Sequence, residues 1–239
     1  PGGKIISWLI WVMNSYIEKI ESLPGSLWEG MQINIEQVVL LLIIVAGFGY
    51  WLLEKQKAGA VSAVIALLFF ISLRSSSFYQ AYHQKKLIVY NIPRHEALDI
   101  INGRDYFFAG DSGILSDNFA TNFYLRPSRI LHRIEPARQL PGLLKQKNLI
   151  QCGSTKILLI DKNYEFDKLT GRILIDVVVV SKNPKIYFSS LTRTFNIRQV
   201  VFDNSVPPWK LKYWKKDCDS LSIPYYDVNK KGAFVMNLN

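Results

Sequence analysis

Two apolar runs dominate the first third of the chain. Residues 38–53 and residues 58–73 are each free of charge, and only the charged turn 54–57 separates them. A helix rises about 1.5 Å per residue, so each run covers roughly 24 Å of a hydrocarbon core that is ~30 Å thick. Because flanking residues can complete each span, the pattern predicts two transmembrane helices within residues 31–85. The alternative is a buried helical hairpin of a soluble protein.

Residues 1–30 follow a different pattern. An apolar stretch that includes Trp8 and Trp11 is followed by charged residues and then by Pro24-Gly25. A short apolar run with a charged end favours an amphipathic helix at the membrane surface, and a truncated membrane helix is the alternative. No basic leader, cleavage site or initiator methionine precedes it, so we expect the chain to be the C-terminal piece of a longer polytopic protein.

The remaining residues, 86–239, alternate short apolar runs with turn formers and helical patterns. We predict strands at residues 87–91, 97–101, 106–110, 156–160, 173–180, 199–202, 225–228 and 233–238. We predict helices from a Ser116-Asp117 cap to about residue 124, over residues 187–195 and over residues 208–222, with an irregular stretch to Gly142. The apolar stripe of the last helix consists of Leu211, Trp214, Cys218 and Leu221. Strands interleaved with helices predict a layered α/β domain.

The charge distribution divides the chain at the same place. Residues 1–73 carry a net charge of −1, whereas residues 74–239 carry +11. A surplus of this size exceeds what solubility requires and suggests an anionic partner. The whole chain has three histidines, which argues against a His-rich metal site.

A set of basic residues in the last third of the chain is the candidate face for contact with DNA phosphates. Its members are Lys182, Lys185, Arg193, Lys210, Lys212, Lys215 and Lys216. Tyr187, Trp209 and Tyr213 lie among them and can stack on the bases of a single strand. The alternatives are a solvated surface and a face that docks against anionic lipid headgroups.

Basic residues beside the apolar runs bear on membrane orientation. The turn 54–57 contains two lysines, so the positive-inside rule favours a cytoplasmic turn and an extracytoplasmic domain. Arg74, Lys85 and Lys86 favour the opposite orientation. We expect the domain to lie outside the cytoplasm.

The two cysteines have two open interpretations. Outside the cytoplasm, Cys152 and Cys218 can pair as a disulfide. Cys218 also fits the helix stripe as an unpaired core residue.

In the order 91–97, 109–113, 176–185 and 227–234, four short segments resemble the C-terminal part of the ComEC family of competence proteins, the polytopic inner-membrane channel components for DNA uptake. Segment 91–97 (NIPRHEA) stands where the family has a DVGQGDA-type turn, and segment 109–113 (AGDSG) stands at an IDTG-type strand end. Segment 176–185 (DVVVVSKNPK) stands at a DVLKVPHHGS-type segment, and segment 227–234 (DVNKKGAF) resembles the closing strand pair. Their order after two membrane helices carries the resemblance.

The resemblance has consequences for architecture, location and partners. It implies a multi-pass protein of the bacterial inner membrane whose residues 86–239 form a degenerate metallo-β-lactamase-like αββα domain. Residues 1–30 would then be the end of the competence region. The implied partners are DNA, the lipid bilayer, the remaining permease core of the same protein and other competence proteins.

The chain departs from the family where metal-dependent members bind their ions. It has no HxHxDH cluster, and Lys182-Asn183 stands where the family has a histidine pair. A protonated lysine offers no lone pair and repels a dication. We therefore expect no metal site, no cofactor and no catalytic residue, and we place His95 and His132 outside any metal centre.

Two alternatives to a DNA-guiding domain stay open. A membrane-anchored nuclease would need a carboxylate site for Mg²⁺, built from Asp99, Asp105, Asp111, Asp176 and Asp203. Asp176 lies inside an apolar strand, and a hydrogen bond from a strand end to a loop is the favoured explanation for it. The second alternative is a structural domain that stabilises the channel and contacts no nucleic acid.

Overall fold

The chain divides into two compact units, Pro1–Asn34 and Ile35–Asn239. Within them, the computed structural model describes residues 2–23, 30–137, 140–164 and 173–238. The first unit contains helix α1 (Gly2–Glu21), so the apolar stretch forms part of a longer helix than its apolar residues alone predict. The predicted end at Pro24-Gly25 lies outside the described residues.

Two apolar helices begin the second unit, as predicted. By length and composition, α2 (Ile35–Glu54) with 20 residues and α3 (Lys57–His83) with 27 are able to cross a bilayer. They approach closely at Gly47 and Gly59, where a Cβ atom on Gly47 would lie 2.9 Å from the Gly59 carbonyl oxygen. This crossing therefore requires small residues, as is common between membrane helices.

Helix α3 leads directly into the α/β domain. It continues beyond the apolar run to His83, and Gln84 alone separates it from the first strand, β1 (Lys85–Val89). The Gln84 side chain donates hydrogen bonds to the carbonyl oxygens of His132 (2.6 Å) and Gly103 (3.0 Å). Helix α3 and the domain are therefore joined without a flexible linker.

The described part of the α/β domain has thirteen strands and six further helices. The strands are β1 (Lys85–Val89), β2 (Ala97–Asn102), β3 (Asp105–Gly110), β4 (Glu135–Pro136), β5 (Leu143–Gln146), β6 (Leu149–Cys152), β7 (Thr155–Ile160), β8 (Ile173–Ile175), β9 (Val177–Val180), β10 (Phe195–Ile197), β11 (Val200–Phe202), β12 (Tyr225–Asp227) and β13 (Phe234–Asn237). The helices are α4 (Ser112–Ser116), α5 (Asn118–Ala120), α6 (Arg126–His132), α7 (Phe188–Thr194), α8 (Pro208–Ser220) and α9 (Val228–Lys231). A π-helical turn, Thr121–Leu125, joins α5 to α6.

Most of these strands belong to two sheets, one of five strands and one of six. One has the order β13-β1-β2-β3-β4 and is antiparallel except at its β3–β4 edge. The other has the order β12-β11-β9-β7-β6-β5, with parallel pairing from β12 to β7 and antiparallel pairing from β7 to β5. β8 and β10 form a separate parallel pair. The prediction of two apolar helices followed by a mixed α/β domain is confirmed.

Three apolar clusters stabilise the domain. The inter-sheet cluster joins residues of both sheets, such as Leu98 and Val177. The α8 cluster packs α7 and α8 on the six-stranded sheet, with Trp214 in its centre. The third cluster packs Leu125 and neighbouring helical residues on the five-stranded sheet. Alternate valines of β9 enter the first two clusters, so this strand is buried on both faces, as its valine run predicts.

Several local predictions were wrong. The expected strand 173–180 divides at Asp176 into β8 and β9. The stretch expected to be irregular contains α6, where Pro127 occupies the first turn and is tolerated there. The hairpin of β5 and β6 was not predicted, and the last turn contains α9. Leu221 follows the end of α8 and is 38% exposed, so it lies outside the apolar stripe.

The predicted helix start at Asp117 is confirmed in part. The Asp117 carboxylate accepts hydrogen bonds from the N–H groups of Phe119 (2.9 Å) and Ala120 (3.2 Å), which are unsatisfied at a helix start. It caps only the short α5, because the chain then changes to the π-helical turn.

The two cysteines do not form a disulfide. Both are buried free thiols, and Cys152 lies in the inter-sheet cluster whereas Cys218 lies in the α8 cluster. Cys218 packs as a core residue of α8, so the disulfide interpretation is wrong and the alternative is confirmed.

A buried ion pair links the five-stranded sheet to α6. Asp99 is fully buried on β2 and accepts two hydrogen bonds from the Arg129 guanidinium, at 2.9 and 3.1 Å. The Tyr90 hydroxyl donates a third, at 2.7 Å. Arg129 also lies over the Tyr106 ring, 4.2 Å from its centroid. Every charge in this group is compensated, so the loss of one partner should be costly.

We predict that Asp99→Ala lowers the free energy of unfolding by about 3–5 kcal/mol, because it leaves the Arg129 charge buried without its carboxylate. Unfolding of the full chain in detergent micelles, followed by circular dichroism, measures this loss. Asp105→Ala is the matched control on the exposed start of β3 and should change stability by no more than about 0.5 kcal/mol. Equal losses in both variants would contradict the assignment.

Candidate functional site

Four charged residues meet at one edge of the two sheets, and we call them the ionic centre: Glu96, Asp111, Lys182 and Asp203. Each lies next to the end of a strand, before β2 or after β3, β9 and β11. Lys182 Nζ lies 2.8 Å from Asp111 Oδ1 and 3.4 Å from Glu96 Oε2. An ammonium group therefore occupies the space between two carboxylates.

The backbone around Lys182 is held by the neighbouring loop. Lys182 has a φ of 60°, in the left-handed region that side-chain-bearing residues rarely adopt. Its N–H donates to Ser205 Oγ at 2.6 Å, and that hydroxyl donates in turn to Asp203 Oδ1 at 2.6 Å. The loop after β11 thus stabilises an uncommon conformation that positions the lysine.

The charges of the ionic centre depend on one another. Burial raises the pKa of Glu96 to about 7, although the nearby Lys182 ammonium opposes that rise. Burial also acts to raise the pKa of Asp111, but hydrogen bonds from Lys182 and from the Glu96 N–H outweigh it and hold the pKa below its usual value. The Lys182 pKa is raised, because its hydrogen bond to Asp111 outweighs partial burial. The ammonium is therefore a fixed cation near neutral pH.

Asp203 is the most buried acid of the ionic centre. It is 2% exposed, and burial raises its pKa to about 6 against the opposing hydrogen bonds from the Ser205 hydroxyl and N–H. His95 lies at the outer side, with Nδ1 3.5 Å from Asp111 Oδ2, and its side chain is half exposed. The inner side of the ionic centre is therefore acidic and buried, and its outer side is accessible to solvent.

Metal-ligating residues do not converge in the part of the chain that the structure describes. Within residues 2–23, 30–137, 140–164 and 173–238, no group of three or more His, Cys, Asp and Glu side chains has a geometry that could hold a metal ion. His132 contacts the Lys86 ammonium at 3.3 Å, and burial followed by that charge lowers its pKa. His132 therefore lies near the start of β1, whereas His95 lies beyond the end of β1 and contacts Asp111, which follows the end of β3.

The five candidate aspartates are distributed over different surroundings. Asp99 is compensated by Arg129, and Asp105 is exposed at the start of β3. The Asp176 carboxylate accepts the Lys156 N–H at 2.9 Å, and Lys156 lies in β7, so the hydrogen bond runs to a neighbouring strand and not to the predicted loop. Asp111 and Asp203 alone share the ionic centre, and Lys182 neutralises part of their charge.

A second feature is a groove between α8 and the segment before α7, which we call the aromatic groove. Its volume is about 310 Å³, and it is lined by Lys185, Ile186, Tyr187, Trp209, Lys210, Tyr213, Trp214 and Asp217. Three of its rings are mainly exposed: Tyr187 (72%), Trp209 (61%) and Tyr213 (63%). Large exposed aromatic side chains beside lysines are typical of surfaces that stack on nucleic-acid bases.

Lys210 on α8 forms hydrogen bonds to the segment before α7 and so connects the two walls of the aromatic groove. Its ammonium donates to Asn183 Oδ1 at 2.7 Å and to the Pro184 carbonyl oxygen, and it lies 5.1 Å from the centre of the Trp214 ring. Burial and then the charge of Lys185 lower its pKa. Two cations that repel each other in one groove favour the entry of an anionic group.

The seven basic residues predicted as a phosphate-binding face have different surroundings. Lys185 and Lys210 line the aromatic groove, and Lys212 and Lys216 are exposed on α8. Arg193 is exposed in the last turn of α7. Lys182 is engaged in the ionic centre, and Lys215 forms an ion pair with Asp227 in which only 19% of its side chain is exposed. Their predicted contacts with DNA stay predictions.

The fold consists of two long apolar helices followed by a mixed α/β domain that carries these two features. The sequence model of the ComEC C-terminal domain matches residues 87–238, which is more than half of the chain, so the chain belongs to this family. The resemblance inferred from the sequence is therefore confirmed. Membership indicates a role in competence DNA uptake at a membrane. No curated protein and no solved structure matches the chain.

The contact between Lys182 and Glu96 is the part of the site that sequence reasoning missed. The two residues lie far apart in the chain. Glu96 was noted only within segment 91–97, and Lys182 only as a candidate phosphate contact and as a replacement for a metal-ligand histidine. Asn91 and Asn204 are joined in the same way, by a 2.7 Å side-chain hydrogen bond across the two sheets. The signal available in the sequence was the arrangement of polar residues at the ends of several apolar strands.

We predict that the stability of the protein falls between about pH 5 and about pH 8 because Glu96 must ionise in a buried position. Since its folded pKa of about 7 is higher than the ordinary glutamate pKa of 4.5, the folded state binds the proton more tightly. Glu96→Gln should remove the Glu96 share of this loss, a gain of roughly 2 kcal/mol at the higher pH with little change at the lower pH. The share due to Asp203, whose folded pKa is also raised by burial, should remain in the variant. Thermal unfolding of the parent and of Glu96→Gln at about pH 5 and about pH 8 measures these differences in stability.

Asp219→Asn on the exposed face of α8 is the control for that experiment, and its stability should follow that of the parent at both pH values. Parallel pH profiles of the parent and Glu96→Gln would show that Glu96 does not take up a proton in this range.

Proposed function

We propose that the protein is a membrane component of the DNA-uptake channel of natural transformation, and that its α/β domain binds incoming DNA without cutting it. The observation that carries the DNA contact is the aromatic groove, where exposed rings and lysines lie together. Family membership supports a role in DNA uptake, and the aromatic groove supports a direct contact between the domain and DNA.

The chemistry of the groove favours a single strand. Tyr187, Trp209 and Tyr213 present ring faces to solvent, and only unpaired bases can stack on such faces. Lys185 lies beside them, and Lys212 and Lys216 follow on the exposed side of α8. In this arrangement, bases stack in the groove while phosphates lie along the lysines.

We also propose that the domain is a degenerate metallo-β-lactamase-like αββα domain without catalytic activity. The three apolar clusters support such layering, because they alternate with two sheets and pack helices on the outer face of each. The Lys182 ammonium between Glu96 and Asp111 supports the loss of activity. A fixed cation at this edge repels a divalent ion and neutralises the carboxylates that would bind it.

The remaining expectations belong to the same proposal. The protein would be a multi-pass protein of the bacterial inner membrane, with α2 and α3 as spans and with the domain outside the cytoplasm. Its further partners would be the remaining permease core and other competence proteins. Cysteine labelling of the turn between α2 and α3 with a membrane-impermeant reagent tests the orientation, because the proposed cytoplasmic turn should stay unlabelled in intact cells.

We predict that Trp209→Ala combined with Tyr213→Ala weakens binding of a single-stranded oligonucleotide by at least about 10-fold, because stacking contributes roughly 1–3 kcal/mol per base. Binding to duplex DNA should change little. Fluorescence anisotropy with the full chain in detergent micelles measures both. Phe119→Ala with Phe123→Ala is the matched control, since these exposed rings stack on each other, 5.6 Å apart, near α5.

Neutralising exposed lysines tests the phosphate contact separately. Lys212→Gln with Lys216→Gln should weaken binding for all sequences alike and should reduce the slope of log K against log [salt] by about 1–2. The control is Lys145→Gln with Lys147→Gln in the β5–β6 hairpin. A flat salt dependence of the parent, or no binding at all, would favour a structural domain instead.

We predict that the purified chain does not cleave DNA in the presence of Mg²⁺ or Mn²⁺, because Lys182 occupies the edge where a dication would bind. Gel analysis of labelled single-stranded and duplex DNA measures this. Cleavage that disappears in Asp111→Ala or Asp176→Ala would overturn the proposal and favour the carboxylate-dependent nuclease.

A further inference from the structure

We propose that a cluster of cations where α3 leaves the membrane binds the phosphate group of an anionic lipid. The members of this exit cluster are Arg74, Arg104 and Arg133. The inference rests on the membrane placement of α3 and does not depend on DNA binding by the aromatic groove.

The exit cluster is assembled around the last turns of α3. The guanidinium carbon of Arg74 lies 5.1 Å from the centre of the Phe78 ring, and that of Arg133 lies 4.1 Å from the same ring. Arg104 Nε donates to the Arg133 carbonyl oxygen at 3.3 Å, and its guanidinium lies over Tyr82. Residues distant in sequence thus bring their positive charges to one side of one helix.

The position of the cluster along α3 corresponds to the depth of lipid phosphates. The uncharged run 58–73 covers roughly 24 Å, and Arg74 is the first charged residue after it. Phe78 lies one turn further, about 6 Å along the axis. The headgroup layer on each side of the hydrocarbon core is about 5–8 Å thick, which is close to the axial distance between Arg74 and Phe78. Counted from Lys57, the charged residue that begins α3, Phe78 lies about 32 Å along the axis, beyond a ~30 Å hydrocarbon core. The Arg74 and Arg133 guanidinium groups beside its ring therefore lie at the depth of the phosphates, which favours a lipid over DNA as the bound anion.

The electrostatics of the cluster favour an anion. Burial and then the charges of Arg74 and Arg104 lower the pKa of Arg133, so the three guanidinium groups repel one another. Glu135 compensates Arg104 at 2.6 Å, but the Glu135 side chain is 70% exposed. A phosphate oxygen pair can accept parallel hydrogen bonds from a guanidinium group, which makes arginine well suited to this ligand.

Exposed aromatic side chains occur at the same level. Tyr79 is 67% exposed and Tyr82 is 59% exposed, on the two turns of α3 that follow Arg74. Tyrosine is enriched at the interface between membrane and water, where its ring contacts acyl chains and its hydroxyl contacts water. This independent observation places the same helical segment in the headgroup layer.

The test measures lipid binding by the full chain in a non-ionic detergent. Phosphatidylglycerol in mixed micelles should raise the unfolding temperature of the parent, whereas phosphatidylcholine with the same acyl chains and inorganic phosphate should not. Arg74→Gln with Arg133→Gln should weaken phosphatidylglycerol affinity by about 30-fold, given roughly 1 kcal/mol per cation. Arg74→Lys with Arg133→Lys keeps the charge and should retain most of that affinity.

Lys212→Gln with Lys216→Gln removes the same number of charges far from α3 and should leave lipid affinity unchanged, which separates this site from the proposed DNA face. If the Gln pair fails to fold, Arg74→Gln alone should still weaken affinity by about 5-fold. Equal lipid affinity in the parent and these variants overturns the proposal. Stabilisation by inorganic phosphate equal to that by the lipid would assign the site to free phosphate, and loss of DNA binding with lipid binding retained would assign it to DNA.

Discussion

The ammonium of Lys182 between Glu96 and Asp111 is the interaction on which the polar edge of the domain depends. It connects the loop after β9 in one sheet with the loops around β2 and β3 in the other. Without that cation, two carboxylates and the buried Asp203 would repel one another at close range. The edge is therefore stable without any ligand, and in our proposal the contact with DNA belongs to the outer surface of the domain.

Helix α8 combines a structural face with the proposed binding face. Leu211, Trp214 and Cys218 enter the α8 cluster, and the Trp214 ring stacks on the ring of Phe202 in the six-stranded sheet, with their centres 6.0 Å apart. Trp209 and Tyr213 lie on the opposite side, away from the cluster and largely exposed. Substitution of the exposed rings is therefore expected to leave the core intact, which is what makes the two roles experimentally separable.

The sequence predicted those features that depend on local periodicity. The apolar runs predicted α2 and α3, and the valines of segment 173–180 predicted a strand buried on both faces. What it could not predict depends on contacts between distant residues: the Asp176 carboxylate interrupts that strand because it bonds to Lys156, and α6 forms where Arg129 reaches Asp99. The candidate lysines were identified by type, but the partners of Lys182 and Lys215 became visible only in three dimensions.

The single residue between α3 and β1 has a mechanical consequence. The Gln84 side chain donates hydrogen bonds to the carbonyl oxygens of His132 and Gly103, so α3 and the five-stranded sheet are expected to move as one rigid body. A change in the tilt of α3 would swing the whole domain, and the displacement would grow with distance from the bilayer. In our proposal, a rearrangement of the two spans during DNA transport would therefore rotate the distal surface of the domain, because the junction at Gln84 contains no flexible residue to absorb the movement.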